Sequence, residues 1–249
     1  MNIDISEEAG VRYLHFGSSW IQGAMRVARP WALELEYTRE MMAALLLRPD
    51  AWPRTVLLIG LGAASLTKFL YRHRPDASLT VVEIDHRVIA AARQFFKLPE
   101  DAARINMIIG DGVDFMARRG PSYDLILVDG FDAEARPGEL ESVPFYLNCR
   151  ARLRRGGLFV ANFLSRRKDH TASARRLRLA FDDNALVLPS CDSGNAIGIA
   201  GEDELTEIRA DDLKQRMRSL KRDTGLNLAP LLARLEAAAA RRQTRDLVF

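Results

Sequence analysis

Cysteine and histidine are scarce, with 2 Cys and 4 His in 249 residues. Cys149 and Cys191 are too few for a disulfide framework, and His15, His73, His86 and His170 lack paired metal-ligand spacing. That pattern predicts no metal and a reducing, cytoplasmic setting. Nowhere do about 18 apolar residues run together, and the opening "MNIDISEEAG" is acidic instead of a basic stretch followed by an apolar core. No membrane span and no export signal are expected. An excess of one charge is missing too, because 36 Lys plus Arg face 33 Asp plus Glu for a net +3. The arginines gather in "RARLRRGG", "SRRKDH", "SARRLRL" and "ARRQTRD" without interleaved aromatics. Such runs mark the wet faces of helices more often than a nucleic-acid groove.

What is present is a sizeable core. Hydrophobic residues make up 48% and charged residues 28%, the balance of a soluble globular chain. The length suits one main α/β domain with small attachments. Residues 1–30 alternate loosely in "VRYLHFG" and "SWIQGAMRV", which predicts a small β-rich lead-in. Over residues 31–47 the apolar spacing turns helical until "RPDAWP" breaks it. From there "TVLLIGLG", "SLTVVEID", "INMIIGDG", "YDLILVDG" and "GLFVANFL" read as five buried strands. Between them "ASLTKFLYRH", "HRVIAAARQFF" and "SVPFYLNCRARL" have helical spacing, the last stopped by Gly156 and Gly157. "TASARRLRLAF" follows as a helix, and "ALVLPSC" and "NAIGIAG" as a late strand pair. Strands that are apolar throughout and alternate with helices imply a doubly wound, mostly parallel sheet over residues 31–200. Residues 201–249 read as a helical extension, with "APLLARLEAAAARR" opened by Pro230.

In such sheets ligands bind at the carboxyl ends of the strands, where strand order reverses. The first strand ends in "IGLGAAS", where Gly60 and Gly62 allow a sharp turn before a helix N-terminus, although Ser65 stands where a GxGxxG fingerprint needs its third glycine. Glu83 in "VEID" follows Gly62 by about 20 residues, the interval at which a carboxylate meets a ribose diol. Asp111 in "GDG" could accept from an exocyclic amine while Gly112 leaves room for a ring, and the fourth strand ends at Asp129. Each element has an ordinary alternative as a turn or cap. Their convergence on one crevice predicts a nucleoside-bearing cofactor.

In "VRYLHFGSSWIQGAM", "LLIGLGAASL", "VVEID", "IIGDGVDFM", "YDLILVDGFDA" and "PFYLNCRARLRRGGLFVAN" the chain resembles the spermidine synthase family of polyamine aminopropyltransferases, which has a class I methyltransferase-like fold. The resemblance covers residues 11–162. It implies decarboxylated S-adenosylmethionine as co-substrate, a small-molecule amine acceptor and a homodimer. It places Gly60 and Gly62 at the cofactor's amino-acid-derived tail, Glu83 at the ribose, and Asp111 with Gly112 at the adenine. The family's Asp-x-x-Asp-Pro motif falls on residues 129–133. That makes Asp129 the candidate general base and Asp132 an amine-binding partner, and Gln22 corresponds to a glutamine near the substrate cleft. Three positions depart from the family pattern. Ala63 stands for an Asp after the glycines, Ala133 for the motif's Pro, and in "EYTREMM" Glu40 fits the family's Tyr-His-Glu set while Arg39 replaces its His. Tyr37, Trp20 and Trp31 read as packing residues. Aminopropyl transfer ranks first because both Asp129 and Asp132 are present. Methyl transfer from S-adenosylmethionine and a non-catalytic nucleoside-binding role remain open.

Overall fold

The structure, a computed structural model, describes residues 2–17, 20–132, 134, 136–164, 170–191, 193–203 and 208–242. The arginine-bearing residues 165–169 and 243–249, and Ala133 of the acidic motif, lie outside the described residues.

The lead-in is a three-stranded antiparallel sheet of β1 (Asp4–Glu8), β2 (Val11–His15) and β3 (Ile21–Arg26). Next comes α1 (Glu36–Met41), which tightens directly into a 3-10 turn over Met42–Leu47. The helix expected over residues 31–47 is therefore shorter and of two kinds. All six residues of the 3-10 turn are buried, so it has no wet face to carry an amphipathic α-helix onward.

The main body then alternates as expected. In chain order it is β4 (Thr55–Ile59), α2 (Ser65–His73), β5 (Ser78–Glu83), α3 (His86–Phe96), β6 (Ile105–Ile109), α4 (Gly112–Ala117), β7 (Tyr123–Val128), α5 (Val143–Ala151) and β8 (Leu153–Leu164). It continues with α6 (His170–Ala180), β9 (Ala185–Val187), β10 (Asn195–Gly201), α7 (Ala210–Thr224) and α8 (Ala229–Arg242). Sequence periodicity did not single out α4, a helix of 6 residues whose start depends on the side chain of Asp111. Gly156 and Gly157 do not stop α5. Arg152 ends the helix by turning its guanidinium inward to the carbonyls of Pro121 and Phe115, and both glycines fall inside β8.

The seven-stranded sheet has the order β6-β5-β4-β7-β8-β10-β9. β4 pairs in parallel with both β5 and β7, so the order reverses between β4 and β7. β10 runs antiparallel to β8 and β9, the late pair expected from the sequence. Burial on both faces explains why the strands are apolar throughout. Leu127, Val160 and Ile197 face α1 to α3, α7 and α8, while Val128, Ala161 and Phe163 face α4 to α6. The N-terminal sheet packs Leu14 and Met25 against Ala63 of the glycine loop and Phe96 of α3. Lys68 and Arg12 hold that end of α3 by donating to the carbonyls of Phe96 and Phe95.

The C-terminal helices share the main core. Leu213, Met217, Leu220, Leu231 and Leu235 are buried in the same cluster as the α1 side of the sheet. Arg234 of α8 forms ion pairs with Glu36 at 2.8 Å and with Glu40, whose side chain is 2% exposed. Glu40, matched by the resemblance to a family residue, thus holds the extension to α1. Removing one partner of such a pair leaves a buried charge uncompensated. Arg234→Met is expected to lower unfolding free energy in urea by about 3–5 kcal/mol. The double variant Arg234→Met/Glu40→Gln should recover most of that loss, and an equally unstable double variant would remove the buried charge as the cause.

Candidate active site

A cavity of about 1250 Å³ opens at the carboxyl ends of β4, β5, β6, β7 and β8, across the point where strand order reverses. It exceeds the roughly 300–1,000 Å³ usual for one small ligand. All eight residues expected at the site line it: Gln22, Gly60, Gly62, Glu83, Asp111, Gly112, Asp129 and Asp132.

The glycine loop is held by contacts on three sides. Gly60 has φ +93°, and a Cβ there would lie 2.1 Å from the backbone oxygen of Asp129. The Asp129 amide donates to the Ile59 carbonyl at 2.9 Å, so Gly60 is what lets the end of β7 approach β4. Glu83 is 7% exposed and accepts from the Leu61 amide at 2.9 Å and the Asp85 amide at 3.0 Å. Burial pushes its carboxyl above the usual range, and the amides of Asp85 and Leu61 pull it back. Each carboxylate oxygen retains lone-pair capacity for a ligand hydroxyl. Asp85 is different in kind: it caps α3 and pairs with Arg87, whose hydrogen bond lowers the Asp85 carboxyl to about 2. Between them Ile84 lines the cavity with 67% exposure, an apolar face with room for an aromatic ring.

Asp111 caps α4, its Oδ1 accepting from the Val113 amide at 2.6 Å. Gly112 serves packing as well as space, since a Cβ there would meet Ile59 Cγ2 at 2.4 Å. Gln22 comes from β3, whose backbone lies over the loop. A Cβ on Gly62 would sit 3.1 Å from the Gln22 carbonyl, and one on Gly23 would sit 2.6 Å from Ala63 Cβ.

Asp129 is enclosed at the end of β7. Tyr37 Oη donates to its Oδ2 at 3.1 Å and Asn162 Nδ2 to its Oδ1 at 2.9 Å. Burial pushes the carboxyl above its ordinary value, and the bonds from Asn162 and Tyr37 draw it down. Burial, then the neighbouring Asp129 charge, pushes the Tyr37 phenol well up, so it stays protonated and donates. Tyr37 was read from sequence as packing. The structure instead sets it on the candidate base. Asn162 was missed altogether, although a lone amide at the end of "GLFVAN" was its signal.

Asp132 reaches the cavity rim but is engaged within its own loop. Its Oδ1 accepts from the amides of Glu134 and Arg136, and its Oδ2 from Arg136 Nε at 2.8 Å. Partial burial pushes the carboxyl up, but the amide and guanidinium of Arg136 outweigh that and hold it below the ordinary range. Among the described residues no group of three or more His, Cys, Asp or Glu could hold a metal, and no helix is long and apolar enough to cross a membrane.

This is a deep crevice at the strand ends of a methyltransferase-like α/β sheet, with the half-buried Asp129 carboxylate at its centre. The Spermine/spermidine synthase domain profile matches residues 35–181, and a polyamine aminopropyltransferase of Neisseria meningitidis is 36% identical over 95% of this chain and 89% of its own. The chain belongs to the spermine/spermidine synthase family. Solved structures share the fold. A probable spermidine synthase from Corynebacterium glutamicum has TM-score 0.72 at 21% identity, covering 90% of this chain and 91% of its own. Human methyltransferase-like protein 13, solved with SAH, has TM-score 0.68 at 23% identity, covering 77% and 93%.

Gly60→Ala is expected to cost about 3 kcal/mol or more in urea unfolding through left-handed strain and the clash with Asp129. Gly110→Ala, where a Cβ meets nothing within 4 Å, should change stability by no more than about 0.5 kcal/mol. Equal effects at the two positions would refute the close approach of β4 and β7.

Proposed function

We propose that the chain transfers the aminopropyl group of decarboxylated S-adenosylmethionine to a diamine such as putrescine, with Asp129 as general base. The carrying observation is the half-buried Asp129 carboxylate, fixed by two neutral donors at the centre of the crevice. In this reading Glu83 accepts from the ribose hydroxyls, Ile84 packs against the purine, and Asp111 accepts from its exocyclic amine. Gly60 and Gly62 leave room for the aminopropyl tail.

An amine acceptor is an ammonium at neutral pH and has no lone pair. Asp129 orients it, takes one proton and leaves a neutral amine beside the carbon attached to the sulfonium. The new C–N bond forms as the C–S bond breaks, and the bonding pair returns to sulfur, which leaves as a neutral thioether. The product leaves as a secondary ammonium, and Asp129 returns the proton it took to solvent. Burial suits Asp129 to this task because a carboxyl held above its ordinary range accepts a proton more readily. Asn162 and Tyr37 keep it ionised until the amine arrives. Asp132 contributes negative charge at the rim only when Arg136 releases it.

Asp129→Asn should reduce kcat by about 10²–10⁴-fold while calorimetry shows unchanged affinity for the nucleoside co-substrate. In the native enzyme kcat/KM should fall as pH drops through a value above the ordinary carboxylate range, following the raised Asp129. Unchanged turnover in Asp129→Asn would remove this carboxylate from the mechanism.

One observation favours a second reading. No carboxylate stands at Ala63 to attract the amine of the decarboxylated co-substrate or to repel the carboxylate of intact S-adenosylmethionine, and Ala63 is packed against Gly23 of β3. Calorimetry with both compounds and product analysis with putrescine separate the two. Tighter binding of the decarboxylated form with spermidine formed is the expected result. Tighter binding of the intact form without a polyamine product would replace it with methyl transfer.

A further inference from the structure

The reversed strand β10 contributes to the same corner as Asp129. Side chains along a strand alternate between faces, so the apolar stripe Leu125, Leu127 on β7 continues to Asp129, and Leu158, Val160 on β8 continues to Asn162. β10 runs the other way, and its stripe Ile199, Ile197 ends at Asn195. Three neighbouring strands therefore close their α1-facing stripes with one polar residue each, at the same edge of the sheet. Ile197 lies opposite Asn162 and Asn195 opposite Leu164, so the two asparagines are diagonal neighbours on one face. They are 5% and 6% exposed, and Asn195 Nδ2 donates to Asn162 Oδ1 at 2.9 Å.

The direction of this chain of bonds is determined by its first member. An ionised carboxylate only accepts, so Asn162 must turn its NH2 group to Asp129 and its oxygen away. That oxygen then needs a donor, which Asn195 supplies. The Asn195 oxygen accepts from Ser193 Oγ at 2.8 Å. Ser193 has one hydroxyl proton and gives it to Asn195, so in its 2.9 Å contact with Cys191 Sγ the thiol donates. Every donor points toward Asp129.

We propose that Asn195 is a positioning residue for the base: from the reversed strand it locks the Asn162 amide in the one orientation that donates to Asp129. Without Asn195 the Asn162 amide can rotate by half a turn and present its oxygen to the carboxylate. The other titratable groups facing this corner, among the described residues, are Tyr37 on α1 and, beside Tyr37, Cys191. The β4 side presents only the backbone of Gly60.

The inference rests on Asp129 acting as the base, and its test reads that carboxyl without turnover. Protein labelled with ¹³C at the aspartate carboxyls is titrated by NMR, with Asp129→Asn assigning the resonance. Asn195→Leu fills the site without a donor, and Asn195→Ala leaves it open. Both should titrate Asp129 higher by about one pH unit, with thermal melting confirming a folded protein. In the enzyme assay the acid limb of kcat/KM should move by the same amount, with co-substrate affinity unchanged. A folded variant whose Asp129 titrates as in the native protein overturns the proposal. Failure of both variants to fold also overturns it, because Asn195 would then serve the fold instead of the base. A native protein that makes no polyamine overturns the proposed function, yet the titration still decides the role of Asn195.

Discussion

A carboxylate half-buried just past the end of an apolar strand must find donors, and Asp129 sets that demand on the residues around it. Its place is determined by backbone contact, because Gly60 lets the residue just after β7 come against the turn after β4. Its charge state is determined by what closes over it: Tyr37 from α1 on one oxygen and Asn162 from β8 on the other. α1 is in turn held from behind by Arg234 of α8. A helix close to the C-terminus of the sequence thus helps fix a residue next to Asp129. The extension belongs to the site's support, which its shared core with the sheet already implies.

The crevice divides into two chemistries. On the β4 to β6 side, backbone amides and carboxylates meet: Glu83 and Asp111 each accept an amide of their own chain, and each belongs to a turn that a ligand would touch. In the proposed reading these residues are structural and functional at once, so their capping role does not compete with a binding role. A carboxylate already fixed by an amide needs no reordering when a hydroxyl arrives. On the β7, β8 and β10 side the groups are neutral amides and a phenol around one acid. Concentrating charge in a single group there suits proton transfer, whereas a second close carboxylate would raise the pKa of the first further still.

The outline of both halves was legible in the sequence, since apolar runs that end in Gly or Asp mark strand ends wherever the sheet is buried on both faces. Glu83, Asp111 and Asp129 were readable for that reason. Tyr37 and Asn162 were not. Tyr37 lies 92 positions from the carboxylate it serves, and an aromatic on a short helix carries no local sign of a partner that distant. Asn162 sits inside a strand that reads as uniform core. The motif spacing that points to Asp132 carries no sign of Arg136, four residues on, which pairs with it. The two helix boundaries that moved did so for tertiary reasons, an inward-turned Arg152 and a fully buried 3-10 turn, neither of which a periodicity contains.

The departures at positions 63 and 133 and the amide cluster bear on the same question, how this site handles a cation. With Ala63 against Gly23 and Asp132 on Arg136, two carboxylates that could hold a polycation are absent or neutralised. Glu36, on the cavity wall, is also paired, with Arg234. In the proposed reading Asp129 then carries both recognition of the reacting amine and removal of its proton. Such a site would select its acceptor by geometry around one half-buried carboxylate more than by a row of charges. On that reading the discriminating contacts fall on the neutral wall of Tyr37 and Asn162, with Asn195 holding Asn162 in place.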